Sequence, residues 1–191
     1  MTSTLSRRAV LGVLAASLPM PALAQVASGA GAGVPLEFDG RVFFPRWGRN
    51  GQHEFTPERE TDLQSWTNML PVNVHRAVAD GEGLARLANG ILSIFRQNGR
   101  VLKTLSKPAR PDSPAEHMIT AVLGRPGTLE VAFTRVVLRR ERGVVLTYSH
   151  RIHAPDAGPA MAEWLNANGN RVEAVLAAWR DFARIEALAA G

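Results

Sequence analysis

The stretch 116–153 constrains the fold more than any other part of the chain. Residues 116–123, 128–139 and 144–153 are rich in Val, Thr, Ile and Phe. They are separated by Gly124-Arg125-Pro126-Gly127 and Arg140-Glu141-Arg142-Gly143. β-Branched and aromatic side chains fit a pleated surface, and short glycine-bearing breaks between such runs reverse the chain. The expectation is a three-stranded antiparallel meander, ended by Pro155 and Gly158-Pro159. A meander has an apolar face that must be covered, so helices elsewhere in the chain have to pack on it.

Two segments have the helical period. Asp80 stands where a cap would stand, Leu84, Leu87, Ala88, Ile91, Ile94 and Phe95 recur at three- and four-residue steps, and Asn98-Gly99 closes the run. From Ala160, the residues Met161, Trp164, Leu165, Val172, Val175, Leu176, Trp179 and Phe182 trace one stripe. Asn168-Gly169-Asn170 is a place for that helix to kink or split.

The N-terminal part is less regular. Residues 36–44 read as a strand turning near Asp39-Gly40, and PRWGRNGQ (45–52) reads as loop. Thr56-Pro57 with Glu58 and Glu60 reads as the cap of a single helical turn. Residues 66–75 alternate as a strand (Trp66, Leu70, Val72, Val74), with Pro71 pointing to an edge or a bulge; Leu63, Trp66 and Leu70 equally allow a helix through Met69. Residues 100–106 form a short strand, and KPARPDSP (107–114) is an exposed irregular loop.

The expected fold is thus α+β: an antiparallel sheet with a C-terminal meander, packed against one mid-chain helix and one long C-terminal helix. It occupies 36–187 as a single domain, with 188–191 as a tail. Composition agrees with one domain, at 46% apolar and 20% charged residues. The element order, with the strand entry at Trp66, resembles the fold shared by the extrinsic photosystem protein PsbP and the small bacterial envelope protein DcrB. That resemblance implies an accessory or assembly role more than catalysis, and fold alone is not a warrant for function.

Residues 1–24 read as an export signal: Arg7 and Arg8 without acids, a short apolar run too brief to span a bilayer, then Pro21 and the small-residue site Ala22-Leu23-Ala24. Cleavage between Ala24 and Gln25 is expected, leaving 25–35 as a flexible leader. Ser6-Arg7-Arg8-Ala9-Val10-Leu11 resembles the twin-arginine signal, which implies transient contact with that export translocase; an ordinary secretory signal carrying two arginines stays open. Either route places the mature chain in the periplasm, with no transmembrane segment.

The chain has no cysteine, which excludes a disulfide scaffold, a Cys-ligated zinc, a thiol nucleophile and a thiol-attached lipid. Its net charge of +5 includes Arg7 and Arg8, so the mature chain carries +3, too little to argue for nucleic acid. No cofactor is expected. His150 and His153, three apart on a strand, point to opposite faces and make a poor metal clip. No serine lies in a G-x-S-x-G elbow, and the expectation is no catalytic set. Two places remain for a ligand. Arg46, Trp47 and Arg49, with Trp66, put aromatic rings among positive charges where a cleft between the first strands and the meander would take a small anionic or aromatic ligand, with the 107–114 loop as a further place for it. Arg139 and Arg142 crowd a hairpin tip and suit an anion, although a solvated turn explains them more simply. The reading is an exported protein that binds an envelope partner. Its rivals are a small periplasmic enzyme around His150 and His153, and an anion binder at the Arg139–Arg142 tip.

Overall fold

The computed structural model describes residues 33–111, 113–125 and 127–188. The export signal with Arg7 and Arg8, the cleavage site at Ala24 and Gln25, and most of the leader lie outside the described residues.

Eight strands form one antiparallel sheet: β1 (Leu36–Phe38), β2 (Arg41–Arg49), β3 (Gln52–Pro57), β4 (Asn68–His75), β5 (Gly99–Lys107), β6 (Glu116–Arg125), β7 (Thr128–Arg139) and β8 (Arg142–His153). Their spatial order is β1-β2-β3-β4-β8-β7-β6-β5. Three hairpins turn on two residues with positive φ: Asp39-Gly40, Asn50-Gly51 and Arg140-Glu141. That is the turn whose twist matches paired strands. Residues 45–52 are therefore not loop; Arg46, Trp47 and Arg49 lie on β2. The expected meander is present in full, β6 to β8.

One long crossover organises the rest. Successive antiparallel pairings make β4 and β5 run the same way, on either side of β8, β7 and β6. The connection between them is α1 (Gly81–Asn98), laid over those three strands. Asp80 caps α1, its carboxylate accepting from Gly83 N at 2.7 Å. Leu84, Leu87, Ala88, Ile91 and Phe95 are its buried stripe, against Ile119, Ala121, Ala132, Val136 and Val145; Ile94, expected in that stripe, is half-buried.

The opposite face carries the larger core. Val131, Phe133, Val137, Leu146 and Tyr148 alternate with the residues under α1, and pack with Phe43, Phe55, Leu70 and Val72 against α2 (Ala157–Ala178) and α3 (Phe182–Leu188). The C-terminal helix does not break at Asn168-Gly169-Asn170, which stay helical. It breaks at Trp179, whose backbone is extended. Trp179 is better placed there, with its ring buried and its indole N–H donating to Glu37 O at 2.9 Å. The domain also reaches past its expected ends. Leu188 is buried, and a Cβ on Gly33 would lie 2.9 Å from it.

Three further expectations are overturned. Thr56-Pro57 ends β3 instead of capping a helix, because Thr56 is wholly buried and its hydroxyl accepts from Arg46 Nε and donates to Glu60 O. Pro71 is not at an edge: β4 lies between β3 and β8. Toward β3, Pro71 pairs with Glu54 in register; toward β8, Met69↔Ser149 and Val72↔Leu146 keep one register with no pairing recorded at Leu70 and Pro71. The missing N–H of proline is thus absorbed inside the sheet by a local gap on one side. Trp66 begins no strand, and residues 63–66 form no α-helix.

Candidate binding cleft

The Asn50-Gly51 turn is tied to β4 by Val74 N donating to Gly51 O at 2.7 Å. The chain then bends, with Val78 N on His75 O at 3.2 Å, and enters α1 at Asp80. Between the β2–β3 turn, the end of β4, the first turns of α1, Gly33-Val34 and Leu188 lies an open cleft of about 1340 Å³. Its wall has two characters. Arg49, Arg76 and Arg86 bring positive charge, with Arg86 ion-paired to Glu82 on the outer face of α1. Val34, Val74, Val78, Leu87 and Leu188 are apolar. Among the described residues that line it there is no carboxylate and no hydroxyl.

His53 and His75 also line the cleft. Burial holds both below the ordinary imidazole pKa, so neither adds charge at neutral pH. His53 Nε2 is buried and has no hydrogen-bond partner among the described residues.

Of the residues singled out in sequence, Arg49 alone reaches this cleft. Arg46 is occupied instead with Thr56 Oγ1 at 2.9 Å, Pro57 O at 2.9 Å and Glu58 O at 2.8 Å, which pins the end of β3. Trp47 is half-buried on β2, opposite Glu54, and does not line the cleft. Trp66 does not line this cleft either; it is buried beneath the Arg151 guanidinium, 3.8 Å from its ring, and Arg151 is held by Glu130 at 3.3 Å. The 107–114 loop is likewise absent from the lining. Arg139 is not a solvated tip residue. It stacks 3.9 Å over Phe182, while Arg142, across the turn from it, is exposed. The tip therefore presents fewer free guanidinium groups than its sequence implies.

A second polar cluster lies on the α2 side of β8. Glu60 accepts from Thr67 N at 2.6 Å and Asn68 N at 2.7 Å, and from the Asn68 amide at 3.0 Å. That fixes the amide, so Asn68 Oδ1 faces the Tyr148 hydroxyl at 2.8 Å and His150 Nδ1 at 3.1 Å. An amide oxygen only accepts, so His150 carries its proton on Nδ1. Trp164 stacks on the imidazole with centroids 4.1 Å apart and planes 7° apart. Burial, opposed by Glu60 and helped by Arg41, pushes the His150 pKa down to about 4. His153 faces the other way, with Nε2 3.0 Å from Trp66 O, as the odd spacing on a strand requires. Among the described residues no three His, Asp or Glu side chains gather as a metal site.

His150 gives the fold an acid-sensitive element. Between its ordinary pKa of 6.5 and about 4, the unfolded chain binds the proton and the folded chain does not, so stability falls as pH falls through that window. Urea midpoints measured from pH 7 to pH 4 should decline less in His150→Gln than in the parent. The difference should be about 1–2 kcal/mol, once the solvent screening of its open edge is allowed for. Parallel curves would show that His150 is equally protonated in both states.

No helix among the described residues is long and apolar enough to cross a membrane. No known family matches this sequence. No curated protein matches it either. Among solved structures, the chain is similar to the Ran-binding protein Mog1p of Saccharomyces cerevisiae, at 12% identity and a TM-score of 0.45, over 76% of this chain and 91% of that one.

Proposed function

We propose that this is an exported periplasmic binding protein that works without catalysis, as an accessory or assembly factor for an envelope partner, and that the cleft is where it binds. The observation that carries the reading is the cleft itself: a large opening with charged and apolar walls, lined among the described residues by neither a hydroxyl nucleophile nor a carboxylate base. The basic n-region, the short apolar run and the Ala22-Leu23-Ala24 site support export.

Native mass spectrometry on the protein from its own envelope, intact and then denatured, tests this. The expected result is a chain starting at Gln25, carrying a bound mass that is lost in Arg49→Glu. A chain still starting at Met1 overturns the location, and a bound mass unchanged in Arg49→Glu moves the binding away from the cleft.

One observation favours a second reading. His150 has a fixed tautomer and a neutral ring, the state a general base requires. If this is a hydrolytic enzyme, turnover of ester or amide substrates by the purified protein should vanish in His150→Gln and survive Arg49→Glu.

A further inference from the structure

Strand β5 ends the sheet and pairs with β6 on one side only, and eight of its nine residues are exposed. An edge of this length offers a row of N–H and C=O groups to another strand. Lysine on an edge normally deters such pairing, but here both lysines are already held. Lys103 meets Glu173 of α2 at 2.6 Å, and Lys107 meets Glu116 at 2.6 Å. The regular part of the edge is bounded at both ends. The ladder shifts register between Val101 and Lys103, and Pro108, which has no N–H, follows Lys107.

What lies between is Lys103-Thr104-Leu105-Ser106-Lys107, a segment with nearly the same chemistry read in either direction. Alternation puts Lys103, Leu105 and Lys107 on the α2 face, as the ion pair to Glu173 requires, and Thr104 and Ser106 on the α1 face. Leu105 stands beside the core residue Met118 and is still 43% exposed.

We propose that β5 pairs antiparallel with β5 of a second copy of this chain, about a two-fold axis at Leu105. Leu105 then meets its own counterpart, Thr104 stands opposite Ser106, and Lys103 stands opposite Lys107. Apolar pairs and Thr–Ser pairs stabilise strands when directly opposed. Ser106 Oγ already meets His117 Nδ1 at 2.9 Å, and a hydroxyl with two lone pairs and one proton can serve the Thr104 hydroxyl as well. Bare lysines would repel across the seam, but each arrives with a carboxylate of its own chain. Glu116 also holds the buried Arg135, so a small positive excess stays near the seam, and salt should screen it. The far end of the sheet offers no comparable edge, since β1 has three residues and two are buried. The same patch therefore meets itself and closes as a dimer, not a filament. No β5 residue lines the cleft, so this surface is separate from the one proposed for the ligand.

Five paired residues bury less than a standard interface, so affinity of about micromolar order is expected. Sedimentation equilibrium of the mature protein, from about 1 to about 500 µM, should show the mass rising from one chain to two. Leu105→Lys should weaken the dimer at least tenfold, by losing the apolar pair and opposing two new charges. Val42→Lys, on β2 and comparably exposed, should leave it unchanged. At about 1 µM both variants should keep the parent's urea midpoint, which verifies that they fold. The chain has no cysteine, so introduced thiols report the register. Leu105→Cys should oxidise to a linked dimer, because directly opposed residues lie within disulfide reach. Thr104→Cys should link poorly to itself and readily to Ser106→Cys when the two variants are mixed.

A single-chain mass at every concentration overturns the proposal, and a mass rising past two overturns the closed dimer. A dimer unmoved by Leu105→Lys lies elsewhere on the surface. Thr104→Cys linking to itself as readily as Leu105→Cys overturns the axis. Loss of the dimer in about 0.5 M NaCl would show a seam held by charge, which overturns the pairing argued here.

Discussion

Replacing Arg135 by alanine should cost about 3–5 kcal/mol of folding stability, the scale of an ion pair broken from one side in the interior. Arg135 is buried on β7 beneath the end of α2. Its Nε and one terminal nitrogen donate to Glu116 Oε2 at 2.9 and 2.6 Å. The other donates to Leu176 O at 3.0 Å and Trp179 O at 2.8 Å. These carbonyls belong to the end of α2, where the helix has run out of its own N–H groups. One cation therefore neutralises a carboxylate, caps a helix and faces its negative end. Alanine leaves Glu116 with Lys107 alone, and takes the charged donor from both carbonyls, leaving Leu176 O with Trp179 N at 3.4 Å and Trp179 O with Arg180 at 2.9 Å.

The pH dependence should change with it. Burial raises the Glu116 pKa, but hydrogen bonds from Lys107 and Arg135 outweigh it and hold the carboxyl below its ordinary value. That contribution is present above the ordinary value of 4.5 and is lost as pH falls through the folded pKa. Urea unfolding from pH 7 to pH 3 should show part of the parent's acid loss missing in Arg135→Ala. Arg135→Met combined with Glu116→Leu should recover part of the lost stability, because no uncompensated charge is left inside. A cost below about 1 kcal/mol for Arg135→Ala, typical of exposed pairs, would show that the residue does not support α2.

Gly99→Ala should cost about 3 kcal/mol, at the upper end of overpacking. Helix α1 passes into β5 with no intervening loop, and Gly99 is where that happens. Its backbone is extended, so torsion is not the difficulty. A Cβ there would stand 2.1 Å from Val122 O and 2.8 Å from Leu123 Cα, in the backbone of the neighbouring strand. Strands cannot step aside as a side chain can, so β5 would have to shift against β6. Gly158→Ala, in the first turn of α2 with nothing within 4 Å of its Cβ, is the control and should be neutral or slightly stabilising. Equal urea midpoints for the two variants would refute the close approach at Gly99.

What was legible in the sequence is what is settled by neighbours in sequence. The meander follows from period-two alternation and two-residue turns, and the start of α1 from an aspartate three residues before Gly83. What misled was local preference overridden by packing. Thr56-Pro57-Glu58 has the residues of a helix start, yet Arg46, ten residues back, claims the threonine hydroxyl for a strand end. Asn50-Gly51 carried the hairpin signal, hidden among the arginines and tryptophan around it. The aromatic-basic cluster pointed to Arg49 and overreached for its neighbours, since whether an arginine is free depends on carbonyls that sequence does not locate. The cleft draws on Gly33-Val34, Leu188 and three separate segments between them, and His150 meets Asn68 across 82 residues. No spacing rule spans such distances.

The seam between β4 and β8 has a consequence for how the chain comes to be folded. Tyr148 and Asn68, bonded across it, are 80 residues apart, and the partner of β4 is the last strand to be made. As the chain emerges N-terminus first, β1 to β4 can hairpin together early, but β4 then stands as an open edge, offering its N–H and C=O groups to any passing strand. Only when β8 has been synthesised, and the meander it belongs to has formed, is that edge closed. High sequence separation of this kind slows folding and prolongs the period in which strangers can pair. Pro71, which leaves a gap in the ladder on the side that waits, makes that edge a poorer template for the wrong partner while it is exposed.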